Sequence, residues 1–148
     1  MIRAEFHCHT HYSKDSLLHP QRLLEACRRK GIHRVVITDH NNIRGARLAY
    51  QLDPERVIVG EEILTSEGEV LAAFVQEEIP PGLSPLETIR RLRDQGAFIS
   101  LSHPFDSHRQ GYWKPEVLEE VAPLVDAIEI FNARCVNPAF NTQAAAFA

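Results

Sequence analysis

The sequence predicts an α/β fold built on largely parallel strands, and two observations carry that prediction. Short β-branched apolar runs alternate with segments of helical period along most of the 148 residues. Ionisable side chains also gather repeatedly where the apolar runs stop. In parallel α/β folds, that edge of the sheet is where loops converge and ligands bind.

Taken in order, Ile2 to His9 reads as a strand, because Ile2, Ala4 and Phe6 alternate with Arg3 and Glu5. Pro20 suits a first helical turn, Leu23, Leu24 and Cys27 recur at helical spacing, and Gly31 closes that helix. Arg34 to Thr38 is a β-branched strand ending in Asp39-His40-Asn41-Asn42, and a helix from Ile43 to Gln51 follows. Val57-Ile58-Val59 is the next strand, ending in Gly60-Glu61-Glu62. Ser66 to Glu69 reads as a tight turn into a strand from Val70 to Val75. After Pro80-Pro81-Gly82, the segment Ser84-Pro85-Leu86-Glu87 has the form of a capping box opening a helix to Gln95, which Gly96 stops. Ala97 to Leu101 is a fifth strand running into Ser102-His103-Pro104-Phe105. A polar loop from Asp106 to Lys114, a short helix from Pro115 to Val121 and a sixth strand from Asp126 to Phe131 complete the pattern. Gln143 to Ala148 is an apolar-leaning helical start without a stop signal, so the chain reads as one cut short.

Composition narrows the function. With 44% hydrophobic and 24% charged residues, the chain can bury a core, and its length fits one domain spanning residues 1–148. A net charge of −4 argues against an extended nucleic-acid surface. No apolar run reaches the roughly 20 residues that span a bilayer, and the N-terminus lacks a secretory pattern, so the expected compartment is the cytoplasm. Three widely spaced cysteines, Cys8, Cys27 and Cys135, suggest reduced thiols rather than a disulfide framework.

The strand-end groups are His7, His9, Asp15, Asp39, His40, Glu61, Glu62, His103, Glu129 and Asn132. His7 and His9 are two apart, so on an extended chain both imidazoles face one side and can reach one ion. Mixed imidazole and carboxylate donors suit zinc, manganese or iron, and a carboxylate can bridge two ions. His19, His33 and His108 read as ordinary surface histidines, and His11 is uncommitted, although His108 also lies near enough to the expected mouth to contact substrate.

Phe6-His7-Cys8-His9-Thr10 with Ser13, Thr38-Asp39-His40, Gly60-Glu61-Glu62-Ile63 and Ser102-His103-Pro104 together resemble the successive motifs of the PHP family, named for its polymerase and histidinol phosphatase members. The resemblance implies a distorted (β/α)7 TIM-like barrel, incomplete here with five to six strands, holding two or three divalent ions (zinc, manganese or iron) at its strand ends. It implies phosphoester hydrolysis as the activity. Carried over by motif, His7 and His9 hold a first ion, Glu62 bridges it to a second bound by His103, and Asp15 with His40 holds a third. Two departures stand out. The fourth strand ends in Val75-Gln76-Glu77 where the family often has a histidine, and the late Gly-Ser-Asp-x-His motif is absent, as expected of a fragment.

The expected substrate is a phosphorylated small metabolite or a nucleotide, attacked by a metal-activated hydroxide. Asp39 and Glu61 are the catalytic candidates to orient or deprotonate the water, with Asp15 a further choice. Arg134 is the first candidate to grip a phosphate through paired guanidinium hydrogen bonds, with Arg44 and His108 behind it. Two other readings are open: an amidohydrolase-like hydrolase, which also uses HxH, and a non-catalytic metal-binding module. An incomplete barrel also leaves a strand flank through which copies could associate.

Overall fold

A computed structural model describes all 148 residues. Six strands form one sheet in the order β1-β2-β3-β4-β5-β6, curled into a half-barrel, with five helices. The strands are β1 (Ala4–Glu5), β2 (Arg34–Ile37), β3 (Val57–Leu64), β4 (Glu69–Ala73), β5 (Phe98–Leu101) and β6 (Ala127–Ile128). The helices are α1 (Pro20–Arg29), α2 (Arg44–Leu52), α3 (Pro85–Asp94), α4 (Pro115–Val121) and α5 (Pro138–Phe147). No helix is long and apolar enough to cross a membrane.

Strand residues alternate between two environments, as the two-residue period requires. Val35, Ile37 and Val57 pack with Leu23, Leu24 and Cys27 of α1 and with Ala46 and Ala49 of α2. Ile63, Val70, Ala72, Ile99 and Leu101 pack with Ile89 and Leu92 of α3 and Leu118 and Val121 of α4. The opposite positions, among them Val36, Leu71, Ala73, Phe98 and Ser100, line the concave face. Local signals explain the helix starts. Ser84 accepts a hydrogen bond from the Glu87 N–H at 3.3 Å at the head of α3, with Pro85 in the first turn.

Three expectations change. The N-terminal strand is only two residues long, although the HxH segment still runs beside β2, with the Thr38 N–H donating to the Cys8 carbonyl at 2.8 Å. β3 does not end at Val59 but continues through Gly60, Glu61 and Glu62 to Leu64. This extension pairs it with β4 as an antiparallel hairpin closed by the tight turn, with Glu62 opposite Leu71 and Leu64 opposite Glu69. β4 therefore runs against both neighbours, whereas β1-β2, β2-β3 and β5-β6 are parallel. Reversal puts the start of β4, Glu69, at the ligand edge and sends Val75-Gln76-Glu77 to the opposite one. At the far end, α5 starts at Pro138 rather than near Gln143, because the Asn137 side chain caps it by accepting from the Ala139 N–H at 3.0 Å.

Candidate metal centre

The side chains that converge at the ligand edge meet around the Glu62 carboxylate, which faces the concave side and is 1% exposed. Its Oε2 lies 3.1 Å from His7 Nε2, 3.2 Å from His9 Nε2 and 3.3 Å from His40 Nδ1. Its Oε1 lies 3.3 Å from His103 Nε2 and accepts a hydrogen bond from the Ser102 hydroxyl at 2.7 Å. Burial alone would raise the carboxyl's pKa, but the surrounding His103, His7 and His9 outweigh it and hold Glu62 well below the usual carboxylate range.

The imidazoles are turned towards a shared point by their other contacts. Glu129 Oε1 sits 2.8 Å from His7 Nδ1, and its Oε2 accepts the His103 N–H at 2.8 Å. An ionised carboxylate only accepts, so Nδ1 of His7 carries a proton and Nε2 is the nitrogen directed inwards. Burial works against charge on His7, yet the bonds to Glu129 and Glu62 prevail and push its pKa up to about 10; on His103, Glu62 and Glu69 overcome burial likewise, to about 9. For His9 the relay is longer. The buried Asp39 accepts from the Thr10 N–H at 2.6 Å, the Thr10 hydroxyl at 2.7 Å and the Ser13 hydroxyl at 3.2 Å. With its own proton given to Asp39, Ser13 Oγ accepts the His40 N–H at 2.7 Å and faces His9 Nδ1 at 3.2 Å, so His9 carries its proton on Nδ1. His9 Nε2 is thereby free to ligate.

Three groups bring ligand atoms within 4.8 Å of one another: His7, His9 and Glu62; His9, Asp15 and His40; His40, Glu62 and Glu69. The donor set itself fits cations. His7 Nε2 and His9 Nε2 stand 3.0 Å apart beside one carboxylate oxygen, and both ring nitrogens of the buried His103 lack a well-directed hydrogen-bond partner. The His103 backbone is also held at φ 26°, a left-handed conformation that a side-chain-bearing residue adopts at a cost of about 1–3 kcal/mol when its surroundings impose it.

The six residues expected to bind metal, His7, His9, Asp15, His40, Glu62 and His103, thus lie together. Glu69 is the member that sequence reasoning missed. Its carboxylate lies 3.4 Å from His40 and 3.0 Å from His103. No local signal marked it, because its place depends on the hairpin register that sets Glu69 opposite Leu64, on the face that Glu62 also occupies. Asp15 is at the outer side, 3.9 Å from His9 and 3.8 Å from His40, and Arg134 donates to it at 2.5 Å. Burial would raise the Asp15 pKa, but Arg134, His9 and His40 hold it below its ordinary value.

The two catalytic candidates do not join the cluster. Glu61 neighbours Glu62 on an extended strand and so projects to the opposite, helix-covered side, where its Oε2 accepts the Ile79 N–H at 3.0 Å. Burial there, helped by Glu78, pushes its pKa up to about 8. Asp39 is enclosed behind the histidines, and its bonds to Thr10 and Ser13 make it a support for the loop rather than a group open to substrate. Arg134 and Arg44 both line a cleft of about 800 Å³ over the centre, together with Lys14, Asp15, His40 and Glu69. His108 does not line it; its ring packs against Phe140 at 5.8 Å. His11 also stays apart, its ring against Tyr12 and His19.

Comparison with known proteins relates the chain to a family. Two proteins of Methanocaldococcus jannaschii, the uncharacterized proteins MJ1587 and MJ0417, are 36% identical over 146 residues and 41% identical over 138 residues. The matches cover 89% and 90% of this chain, and 82% and 54% of the relatives, so the chain spans about half the length of the second. A crystal structure from Bifidobacterium adolescentis, described as a "putative metal-dependent phosphoesterase", superimposes with a TM-score of 0.77 at 16% identity, over 99% of this chain and 83% of the other. That likeness shows that the two chains share a fold. The PHP domain profile matches residues 5–122, and with the motifs and the fold in agreement, the chain belongs to the PHP domain family.

Proposed function

We propose that this chain carries the metal centre of a phosphoesterase that hydrolyses a phosphate ester of a small phosphorylated metabolite or nucleotide. The observation that carries the reading is the convergence of four imidazoles and the carboxylates of Glu62, Glu69 and Asp15 beneath an open, partly cationic cleft. The name of the structural neighbour points the same way. His7, His9 and Glu62 would hold one ion, Asp15 and His40 would share a second with His9, and Glu69 and His103 would complete the set around Glu62. Divalent zinc, manganese or iron bound there would supply Lewis acidity and water activated near neutral pH.

The protein's own residues set the rest. Glu129 and Ser13 orient the ring nitrogens of His7 and His9, and Ser102 fixes the rotation of Glu62. Arg134, exposed at the mouth and already hydrogen-bonded to Asp15, is placed to donate to phosphate oxygens. With Asp39 and Glu61 enclosed, Asp15 is the one of the three candidate bases whose carboxylate opens onto the cleft. Release of inorganic phosphate from a panel of phosphorylated metabolites by protein loaded separately with manganese, zinc and iron tests the proposal. Metal-dependent release is expected. Turnover of amides or lactones with no phosphate ester cleaved would overturn it.

A further inference from the structure

The edge of the sheet remote from the ligand cluster carries an aromatic side chain in an unusual place. Phe74 follows β4 and is 58% exposed, with its backbone at φ 64°. It is the extra residue of a β-bulge: Ala73 pairs with Gly60, and the next bond, from the Val75 N–H to the Val59 carbonyl at 3.0 Å, skips it. That left-handed position suits glycine, and a bulky residue occupies it only where its surroundings impose the conformation. Here the Gln95 side chain pins the segment that follows, its Oε1 accepting the Gln76 and Glu77 N–H groups at 2.8 Å each. The ring is therefore held outwards against both backbone preference and the hydrophobic effect.

Phe74 forms part of a groove of about 720 Å³, together with Tyr50, Pro54 and Val59, and with Arg34 and Glu55 in its wall. Tyr50 is exposed as well. Neither Arg34 nor Glu55 forms an ion pair, and the only side-chain hydrogen bond of either runs from Arg34 to the His33 carbonyl at 3.1 Å. Their neighbours differ: Arg28 and Arg56 both engage Asp53, at 2.8 Å and 3.3 Å. The face thus offers a projecting ring beside a hollow, with one free charge of each sign. A partner of uniform charge gains nothing net from it. A two-fold-related copy of the same face matches it, because in an isologous contact residue i meets j and j meets i, so each ring can enter the opposite hollow while each Arg34 meets Glu55 of the other copy.

We propose that this face is the interface of a homodimer, with Phe74 of each copy seated in the groove of the other and two Arg34–Glu55 ion pairs formed across the two-fold axis. Phe74 and Tyr50 are its anchors, and the ion pairs set its register. The groove lies at the edge opposite the ligand cluster, so both clefts stay open in the dimer.

Sedimentation equilibrium of the chain from about 0.1 to 100 μM tests this, and a monomer–dimer equilibrium is expected. Phe74→Gly should raise the dissociation constant at least about tenfold. Because glycine accepts the left-handed backbone, that variant should keep a cooperative melting transition. Arg34→Glu and Glu55→Arg should each weaken the dimer about tenfold, and the double variant, which restores the pairing with its signs exchanged, should return to within about threefold of wild type. Leu86→Asn, on the exposed side of α3 and outside the groove, should leave association unchanged. The proposal is overturned if the wild-type chain is monomeric at every concentration, which would give the face to a different partner. It is overturned equally if a folded Phe74→Gly variant dimerises as tightly as wild type, or if the double variant recovers nothing.

Discussion

Gly111 offers a way to disturb the candidate metal centre without altering any proposed ligand. It packs against the Glu69 side chain, and a Cβ at this position would overlap Glu69 Cγ, Cδ and Oε2. The backbone at the start of β4 cannot yield easily. The Glu69 N–H donates to the Gly111 carbonyl at 3.2 Å, and the Glu69 carbonyl accepts from Trp113 Nε1 at 3.2 Å. In Gly111→Ala the carboxylate must therefore swing away by roughly 1 Å to regain van der Waals separation. Such a retreat from 3.0 Å at His103 weakens attraction by about 1.4 kcal/mol per unit positive charge at an effective dielectric near 20, or about tenfold in affinity, and more for a divalent ion. The overpacking itself costs no more than about 1–3 kcal/mol of stability. Equilibrium dialysis against manganese and zinc, alongside melting curves, checks both numbers. A folded Gly111→Ala protein with wild-type metal affinity would refute the assignment of Glu69 to the centre.

The enclosed carboxylates give further expectations. Glu61, with its pKa raised from 4.5 to about 8, keeps a proton in the folded protein that the unfolded chain has already lost, so its contribution to stability falls as pH rises from about 4.5 to 8. Glu61→Gln should flatten that decline, gaining on wild type by at most about 1.4 kcal/mol per pH unit; parallel stability curves across the window would contradict it. Asp39→Asn replaces one acceptor facing Thr10 and Ser13 with a donor, and should cost about 1–3 kcal/mol in denaturant unfolding. It should also loosen His9, read as a weaker zinc affinity. An unchanged midpoint and affinity would remove Asp39 from the support of the loop.

Much of this arrangement is legible in the sequence because strand-end punctuation is a local signal. Thr38-Asp39-His40 and Ser102-His103-Pro104 both follow short apolar strands, and the structure brings both histidines to the Glu62 carboxylate. The helix starts at Pro20 and Pro85 are equally local, fixed by proline in the first turn. What eluded the sequence depends on pairing between strands. Nothing within Val57-Ile58-Val59 announces that β3 runs on to Leu64; the extension exists because β4 folds back onto it. That same pairing decides that Glu62 faces the histidines while Glu61 faces the helices, and that Glu69 enters the centre. Glu129 was recognisable as a strand-end group, but its support of both His7 and His103 emerges only from a sheet that sets β6 beside β5.

The metal content of the purified chain tests the central claim most directly. After dialysis against manganese and removal of loosely held ions, elemental analysis should find more than one ion per wild-type chain. Glu62→Gln, which removes the carboxylate shared by His7, His9, His40 and His103, should lose at least one of them and retain the rest more weakly. Less than one ion per wild-type chain, or the same content in a folded Glu62→Gln variant, would contradict a metal centre assembled around Glu62.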